Sequence, residues 1–289
     1  MEEFWKTIKI LILLLLFTVL TAYFIGYVFS EPSGNVAHIR IRGEIVSEEG
    51  FFTTGISSQK IINRINAANN DPRIKALFIE INSPGGTVIA SREVADTLRN
   101  VNKTKVCWMR DVSTSGAYWI ASACDKIVAN EFTITGGIGV TGSYLEFSKL
   151  FENYGINYVR LVSAEDKDLG TPFREPTQEE VEKLQGMIDR IHEVFIEDIS
   201  QNRNLSIEGI EEISSGSIIL GEDAYRLGLV DVLGGRSEAI EVIISEANLT
   251  EISVIEYREE ISLIDLMTMS MSQHFMEFLT TKRISLDAI

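Results

Sequence analysis

Two turns in this chain carry residues whose types could do chemistry. The first is Asn82-Ser83-Pro84-Gly85-Gly86-Thr87, which follows a mostly apolar run and opens a helical pattern. Glycine lets the backbone approach another molecule closely, and the first N–H groups of a helix have no partner inside it. Such groups can hold a phosphate or a developing oxyanion. A tight strand-to-helix turn uses the same glycines with no ligand at all. The second turn is Val112-Ser113-Thr114-Ser115-Gly116-Ala117-Tyr118. Ser115 stands where a strand and short loop give way to a helix, so its hydroxyl is exposed and the Gly116 N–H can face the same point. This is the logic of a nucleophile elbow, although the Gly-x-Ser-x-Gly pattern is absent. A serine that merely caps the helix reads the same way.

A serine nucleophile needs a base. The chain has three histidines, and none sits in a motif-like setting. His38 lies in a strand, His192 in a long polar helix where a solvated role is expected, and His274 in the C-terminal tail. A Ser-His-Asp triad is therefore a poor fit. Lysine is the other base that serine uses. It must be neutral to accept a proton, so desolvation, which lowers its pKa, suits the role. Lys167 follows a strand-like run at 158–162, but Glu165, Asp166 and Asp168 flank it. Acids close in space would keep the ammonium charged. Spacing alone reads Lys167 as a surface lysine.

The elements that must position these turns follow from hydrophobic period. Residues 36–45 alternate, with Ile39, Ile41 and Ile45 on one face. Residues 57–68 have helical spacing, with Ser57 or Ser58 as cap. A strand over 74–81 leads into the first turn, and a helix runs from it through about Leu98. A strand at 105–109, a helix at 115–123 and a short strand at 126–129 carry the second turn. Helices at 177–203, 207–213, 222–227 and 237–247 follow, and 251–257 reads as a last strand. Strand, glycine-rich turn, helix, strand is the order of parallel strands with crossover helices, an α/β fold.

Composition narrows the classes. The formal net charge of −16 over 289 residues argues against nucleic acid, which selects clustered Lys and Arg, and against a basic face on anionic lipid. Cys107 and Cys124 read as buried thiols; a pairing between them is open. There is no Cys-x-x-Cys and no paired Cys/His spacing, so neither a metal nor a cofactor is expected. Residues 10–28 are apolar and uncharged, long enough to cross a bilayer, and no small-x-small cleavage site follows them. Lys6 and Lys9 precede this segment, so the expected topology has a cytoplasmic N-terminus and the rest of the chain outside the cell membrane. The expected division is 1–30 as cytoplasmic tip and anchor, 31–247 as the main domain, and 248–289 as an extension. The Met-rich run at 261–279 in that extension suits packing or subunit contact better than a binding box.

The motifs together resemble the signal peptide peptidase A family of serine peptidases, within the ClpP/crotonase fold. The resemblance covers roughly residues 36–245. It rests on Ile81-Asn82-Ser83-Pro84-Gly85-Gly86, Ser115-Gly116-Ala117-Tyr118, Asp125-Lys126-Ile127, Thr135-Gly136-Gly137-Ile138-Gly139-Val140, the 163–168 stretch around Lys167, and 221–231. It implies repeated ββα units behind one N-terminal transmembrane helix, Ser115 as nucleophile and Lys167 as general base. It implies Gly86 and Gly116 as the oxyanion hole, with Gly85 and Gly137 along the substrate path. The implied substrates are remnant signal peptides or other membrane-proximal peptides. The implied assembly is a homo-oligomeric ring in which Ser and Lys come from neighbouring protomers. Two positions depart from the family: Ala117 stands where glycine is common, and Gly137 where a serine hydroxyl would orient the lysine. Two other readings share the fold. They are a crotonase-like acyl-CoA enzyme, which the anchor topology disfavours, and a non-catalytic membrane assembly protein, which would be free to lose Ser115 or Lys167.

Overall fold

The computed structural model describes residues 2–28, 34–48 and 55–257. Helix α1 is Glu2–Val28; its window Phe4–Thr21 has mean hydropathy 2.0 and none of it is buried. That is long and apolar enough to cross a bilayer. Strand β1 is Val36–Arg42 and β2 is Ile45–Val46, so the alternating run expected over 36–45 divides at Gly43, whose φ of 80° turns the chain. Strand β3 (Ile56–Ser57) pairs with β2 and leads into α2 (Ser58–Asn70). Next come β4 (Ala76–Ser83), α3 (Val88–Arg99), β5 (Thr104–Thr114), α4 (Gly116–Ser122) and β6 (Lys126–Ala129).

The remaining strands are β7 (Ile134–Gly136), β8 (Ile218–Leu220), β9 (Val232–Leu233) and β10 (Val254–Glu256). The main sheet runs β10-β1-β4-β5-β6-β9 with every neighbour parallel, as crossover helices require. Its inner face (Ile39, Ile41, Leu77, Ile79, Ile81, Cys107) packs on α2, α3 and α4 in one apolar core. Its outer face (Val36, Phe78, Val106, Val128) is covered by Ala239 and Ile243 of α9 (Arg236–Glu246). Both cysteines are buried free thiols in the inner core.

Strand β5 is longer than hydrophobic period indicates. It continues from Met109 through the charged pair Arg110-Asp111 to Thr114, and its neighbour changes on the way. Residues 106–109 pair with β6, and residues 112–114 pair with β7. Against β4 the register slips, from Ile81 opposite Met109 to Ser83 opposite Ser113. Side chains hold the extension: Thr133 Oγ1 donates to the Arg110 carbonyl at 2.6 Å, and Thr135 Oγ1 to the Ser113 carbonyl at 2.7 Å.

The strand expected at 158–162 is not formed. The residues are exposed coil, Leu161 at 90 %, because no described strand lies beside them to complete a ladder. Helix α5 (Ser148–Asn153) and a 3-10 turn over Glu165–Asp168 are the regular elements between β7 and α6 (Gln178–Arg203). Helix α6 starts on a reciprocal cap between Thr177 and Glu180 and ends at Asn204 with φ 51°. Helices α7 (Ile207–Ile213) and α8 (Gly221–Arg226) precede β9. The Met-rich run at 261–279 lies outside the described residues, as does His274.

One polar group is built into the outer face. His38 Nε2 lies 2.9 Å from Glu80, its ring stacks on Phe78 at 4.8 Å, and Arg42 and Arg110 reach the other Glu80 oxygen at 2.6 and 3.2 Å. Burial holds the His38 pKa below its ordinary value, outweighing the pull of Glu80. For Glu80 burial acts upward, but hydrogen bonds from Arg42 and Arg110 outweigh it and hold the carboxyl below the usual range. Both groups therefore bind protons more weakly folded than unfolded. Their stabilisation is present above the unfolded pKa, about 6.5 for His and 4.3 for Glu, and is lost as pH falls through the folded value. The thermal unfolding midpoint should thus fall between pH 7 and pH 4. His38→Gln should flatten the upper part of that slope and leave the limb set by Glu80.

Candidate active site

Ser115 joins β5 to α4 with φ 54° and ψ −127°. Only two other non-glycine residues in the described chain have positive φ, and both are asparagines, which tolerate it. A serine there is strained by about 1–3 kcal/mol and persists only where its surroundings over-determine it. The restraints are visible on both sides. The Ser115 N–H donates to the Gly136 carbonyl at 2.9 Å, and its own carbonyl accepts from Trp119 at 3.0 Å. Thr114 Oγ1 donates to the Pro84 carbonyl at 2.9 Å, locking this turn to the first one. Ser113 is fully buried, whereas Thr114 and Ser115 both line an open hollow, and of these two the Thr114 hydroxyl is engaged on the Pro84 carbonyl.

The first turn meets the second through its glycines. Gly85 adopts φ 103°, and its N–H donates to Ser83 Oγ at 3.1 Å. Gly86 is clamped against Ile45: the Ile45 N–H donates to the Gly85 carbonyl and the Thr87 N–H to the Ile45 carbonyl, each at 2.9 Å. A Cβ on Gly86 would lie 1.9 Å from the Ile45 oxygen. A Cβ on Gly85 would lie 2.9 Å from the Gly116 nitrogen, and one on Gly116 3.4 Å from the Gly86 nitrogen. The peptide nitrogens of Gly86 and Gly116 thus stand together beside Ser115. Neither donates to an acceptor among the described residues. Unpaired backbone donors beside a strained serine are groups of the type that can hold a tetrahedral oxyanion.

Two hollows open at Ser115. The smaller, about 100 Å³, is mostly apolar, with Val88, Trp119, Val140 and Phe195 around Gly86 and Gly116. Trp119 stacks on Phe195 at 4.3 Å, and its Nε1 donates to Asp198 at 3.0 Å, so α6 fixes this wall. The larger, about 470 Å³, runs past Gly137 to Gln185, Asp189 and His192 of α6 and to Ser214 and Gly216. His192 is therefore not a solvated helix residue. It is half-buried, lines the cavity that contains Ser115, and has a buried Nε2 with no hydrogen-bond partner. The signal was present in the spacing Gln185, Ile188, Asp189, His192, one face of a helix.

Lys167 is the sequence-identified residue that this arrangement leaves out. It sits on the 3-10 turn, is exposed, and lines neither hollow at Ser115. Ser115, Gly85, Gly86, Gly116 and Gly137 converge. Around Lys167, the stretch between β7 and α6 turns large apolar side chains outward: Leu145, Tyr154 and Val159 are all more than 70 % exposed. Among the described residues no group of three or more His, Cys, Asp or Glu side chains could hold a metal ion.

Comparison with known proteins points the same way. Residues 97–250 match the model of peptidase family S49, and residues 40–130 match that of Clp protease. The chain is 35% identical over 198 residues to a protein of Methanocaldococcus jannaschii named as a protease, covering 68% of this chain and 64% of that one. It is 31% identical over 213 residues to an Enterococcus faecium protein named as a signal peptide peptidase, covering 73% and 62%. It is 31% identical over 227 residues to a chloroplast serine protease of Arabidopsis thaliana, covering 74% and 32%. The chain spans less than two thirds of the length of these relatives. Both family models include 97–130, the strand, turn and helix around Ser115. With its parallel sheet, glycine-paired elbow and matches, the chain belongs to peptidase family S49, the signal peptide peptidase A family, on a ClpP/crotonase-type fold.

Proposed function

We propose that this chain is a membrane-anchored serine endopeptidase with a Ser115/Lys167 dyad, the two residues supplied by neighbouring copies in a homo-oligomeric ring. The observation that carries the reading is the strained Ser115 backbone beside the unpaired N–H groups of Gly86 and Gly116. The exposed lysine on an apolar, unpartnered stretch supports the second copy. Family membership supports the peptidase class.

The steps follow from these groups. Neutral Lys167 takes the proton of Ser115 as Oγ bonds to the scissile carbonyl carbon. The carbonyl oxygen becomes an oxyanion held by the Gly86 and Gly116 N–H groups. The Lys167 ammonium gives its proton to the leaving amine as the C–N bond breaks. Water then attacks the acyl-enzyme, giving one proton to Lys167, and that proton returns to Ser115 as the acid departs. The small hollow suits a small or apolar side chain beside the scissile bond, as remnant signal peptides or other membrane-proximal peptides offer. Helix α1 is the anchor, with Lys6 and Lys9 on the cytoplasmic side and the catalytic domain outside. Gly85 and Gly137 flank the substrate path.

Four outcomes test this reading. Detergent-purified protein should cleave an apolar signal-like peptide, and Ser115→Ala should lower the rate by on the order of 10⁴-fold or more. Lys167→Arg should be equally inactive, because arginine stays protonated; full activity there rejects the lysine as base. Mixing inactive Ser115→Ala with inactive Lys167→Ala subunits should restore cleavage if the dyad spans two copies, and should not if it forms within one. Gly86→Ala should abolish phosphonylation of Ser115 by a fluorophosphonate, in which fluoride leaves phosphorus, since the added methyl collides with the Ile45 carbonyl and displaces the donor.

A further inference from the structure

The turn that carries Lys167 is tied to the start of α6 by a ladder of ion pairs. Asp168 accepts from Arg160 at 3.0 and 2.8 Å and from Arg174 at 3.2 and 3.1 Å. Arg174 then spans to Glu180, donating to one carboxylate oxygen at 2.7 Å and also to the other. Glu180 is in turn the residue that accepts from the Thr177 N–H at 2.8 Å to start α6. One turn further along the helix, Lys183 reaches both oxygens of Asp166 at 2.9 and 3.0 Å, and Glu179 at 2.8 Å.

Isolated surface pairs of this kind contribute little, because water screens them. This group differs in two respects. Arg174 offers its planar fork to two carboxylates at once, the geometry in which arginine binds best. The carboxylates are also largely covered, with the Asp168 and Glu180 side chains 13 % and 8 % exposed. Arg160 and Arg174 hold the Asp168 carboxyl well below the usual range. Arg174, with the Thr177 N–H, pulls Glu180 down to about 2.

The consequence concerns Lys167. Its acidic neighbours Asp166 and Asp168 are engaged elsewhere, on Lys183 and on the two arginines. Glu165 is exposed, and its carbonyl accepts from Arg160. Glu175 and Glu179 line a hollow with Glu165, Asp166 and Lys183 that Lys167 does not line. No ion pair holds Lys167 among the described residues. We propose that Arg174 is a positioning residue for Lys167: it pins the 3-10 turn to α6 and draws Asp168 away, so that the lysine amine is presented without a carboxylate partner. The proposal rests on the reading of Lys167 as the base.

The test uses full-length protein in detergent micelles, with the pH dependence of kcat and KM on an apolar fluorogenic peptide and oligomer size by light scattering. Arg174→Ala should lower kcat about 10²-fold with KM little changed, as a misplaced catalytic group does. Loss of Arg174 leaves Asp168 held by Arg160 alone and the turn untied from Glu180, and a carboxylate less fully paired beside the lysine favours the protonated amine, so the rising limb of the pH–rate profile should move up, by less than about one unit. Arg174→Lys should recover part of the rate, lacking the fork. Lys183→Gln, which frees Asp166 and Glu179 but leaves Asp168 paired, should shift the profile in the same direction by less. An unmoved Arg174→Ala profile with unchanged kcat, in intact oligomers, overturns the proposal. If Arg174→Ala does not fold, Arg174→Lys with an unchanged rate and an unmoved profile overturns it. Lys167→Ala separates the two ideas. Cleavage that persists there rejects the base itself, whereas an inactive Lys167→Ala beside an unmoved Arg174→Ala profile rejects only the positioning role.

Discussion

Strand β5 cannot keep one set of neighbours along its length. Its first half lies between β4 and β6, and its second half has slipped relative to β4 and has taken β7 as partner. Residues 110–112 absorb the slip, and the chain beyond them reaches the carboxyl ends of β4 and β7 together. The glycine turn after β4 and the Gly136-Gly137 turn after β7 therefore flank one point, and Ser115 occupies it. Crevices at the carboxyl ends of parallel strands are where open α/β sheets bind ligands. Here the crevice comes from a strand that changes partner, and the helices add walls to it.

That arrangement gives up some polar satisfaction. Buried polar side chains in native proteins are nearly always hydrogen-bonded. Among the described residues five buried side-chain atoms lack a partner, and three of them surround this point. They are Ser91 Oγ at the small hollow, Ser113 Oγ beneath the elbow, and His192 Nε2 at the large one. The rest of the domain is well satisfied, as the closed His38–Glu80 group on the opposite sheet face illustrates. The cost is concentrated where the backbone of Ser115 is also strained.

Local chemistry was readable in the chain; tertiary partnership was not. Gly85-Gly86 and Ser115-Gly116 announce themselves because turn geometry depends on the residues in the turn. The parallel sheet follows from the order of apolar runs and glycine turns. The second half of β5 was hidden because Arg110-Asp111 breaks the apolar run, and only β7 makes a strand of it. At 158–162 the opposite error arose: alternation is a requirement for a strand, but a strand also needs a neighbour. His192 was misread for a related reason. A polar helix looks solvated until Trp119 and Phe195 stack and bring one of its faces down onto Ser115. Lys167 drew attention through family pattern, and the single chain does not bring it to the serine.

The short connection after α1 acts as a ruler. Only residues 29–35 separate Val28 from Val36, and a chain of that length reaches less than about 30 Å even when drawn straight. Under the proposed anchoring, with α1 in a bilayer, the first strand of the sheet would stay within that distance of the lipid surface. Every copy would then diffuse in two dimensions, facing the same thin layer of solution. Encounter with a peptide lying in that layer would become a surface-density problem, and a protein folded farther from the membrane would escape by geometry before any side-chain preference applies.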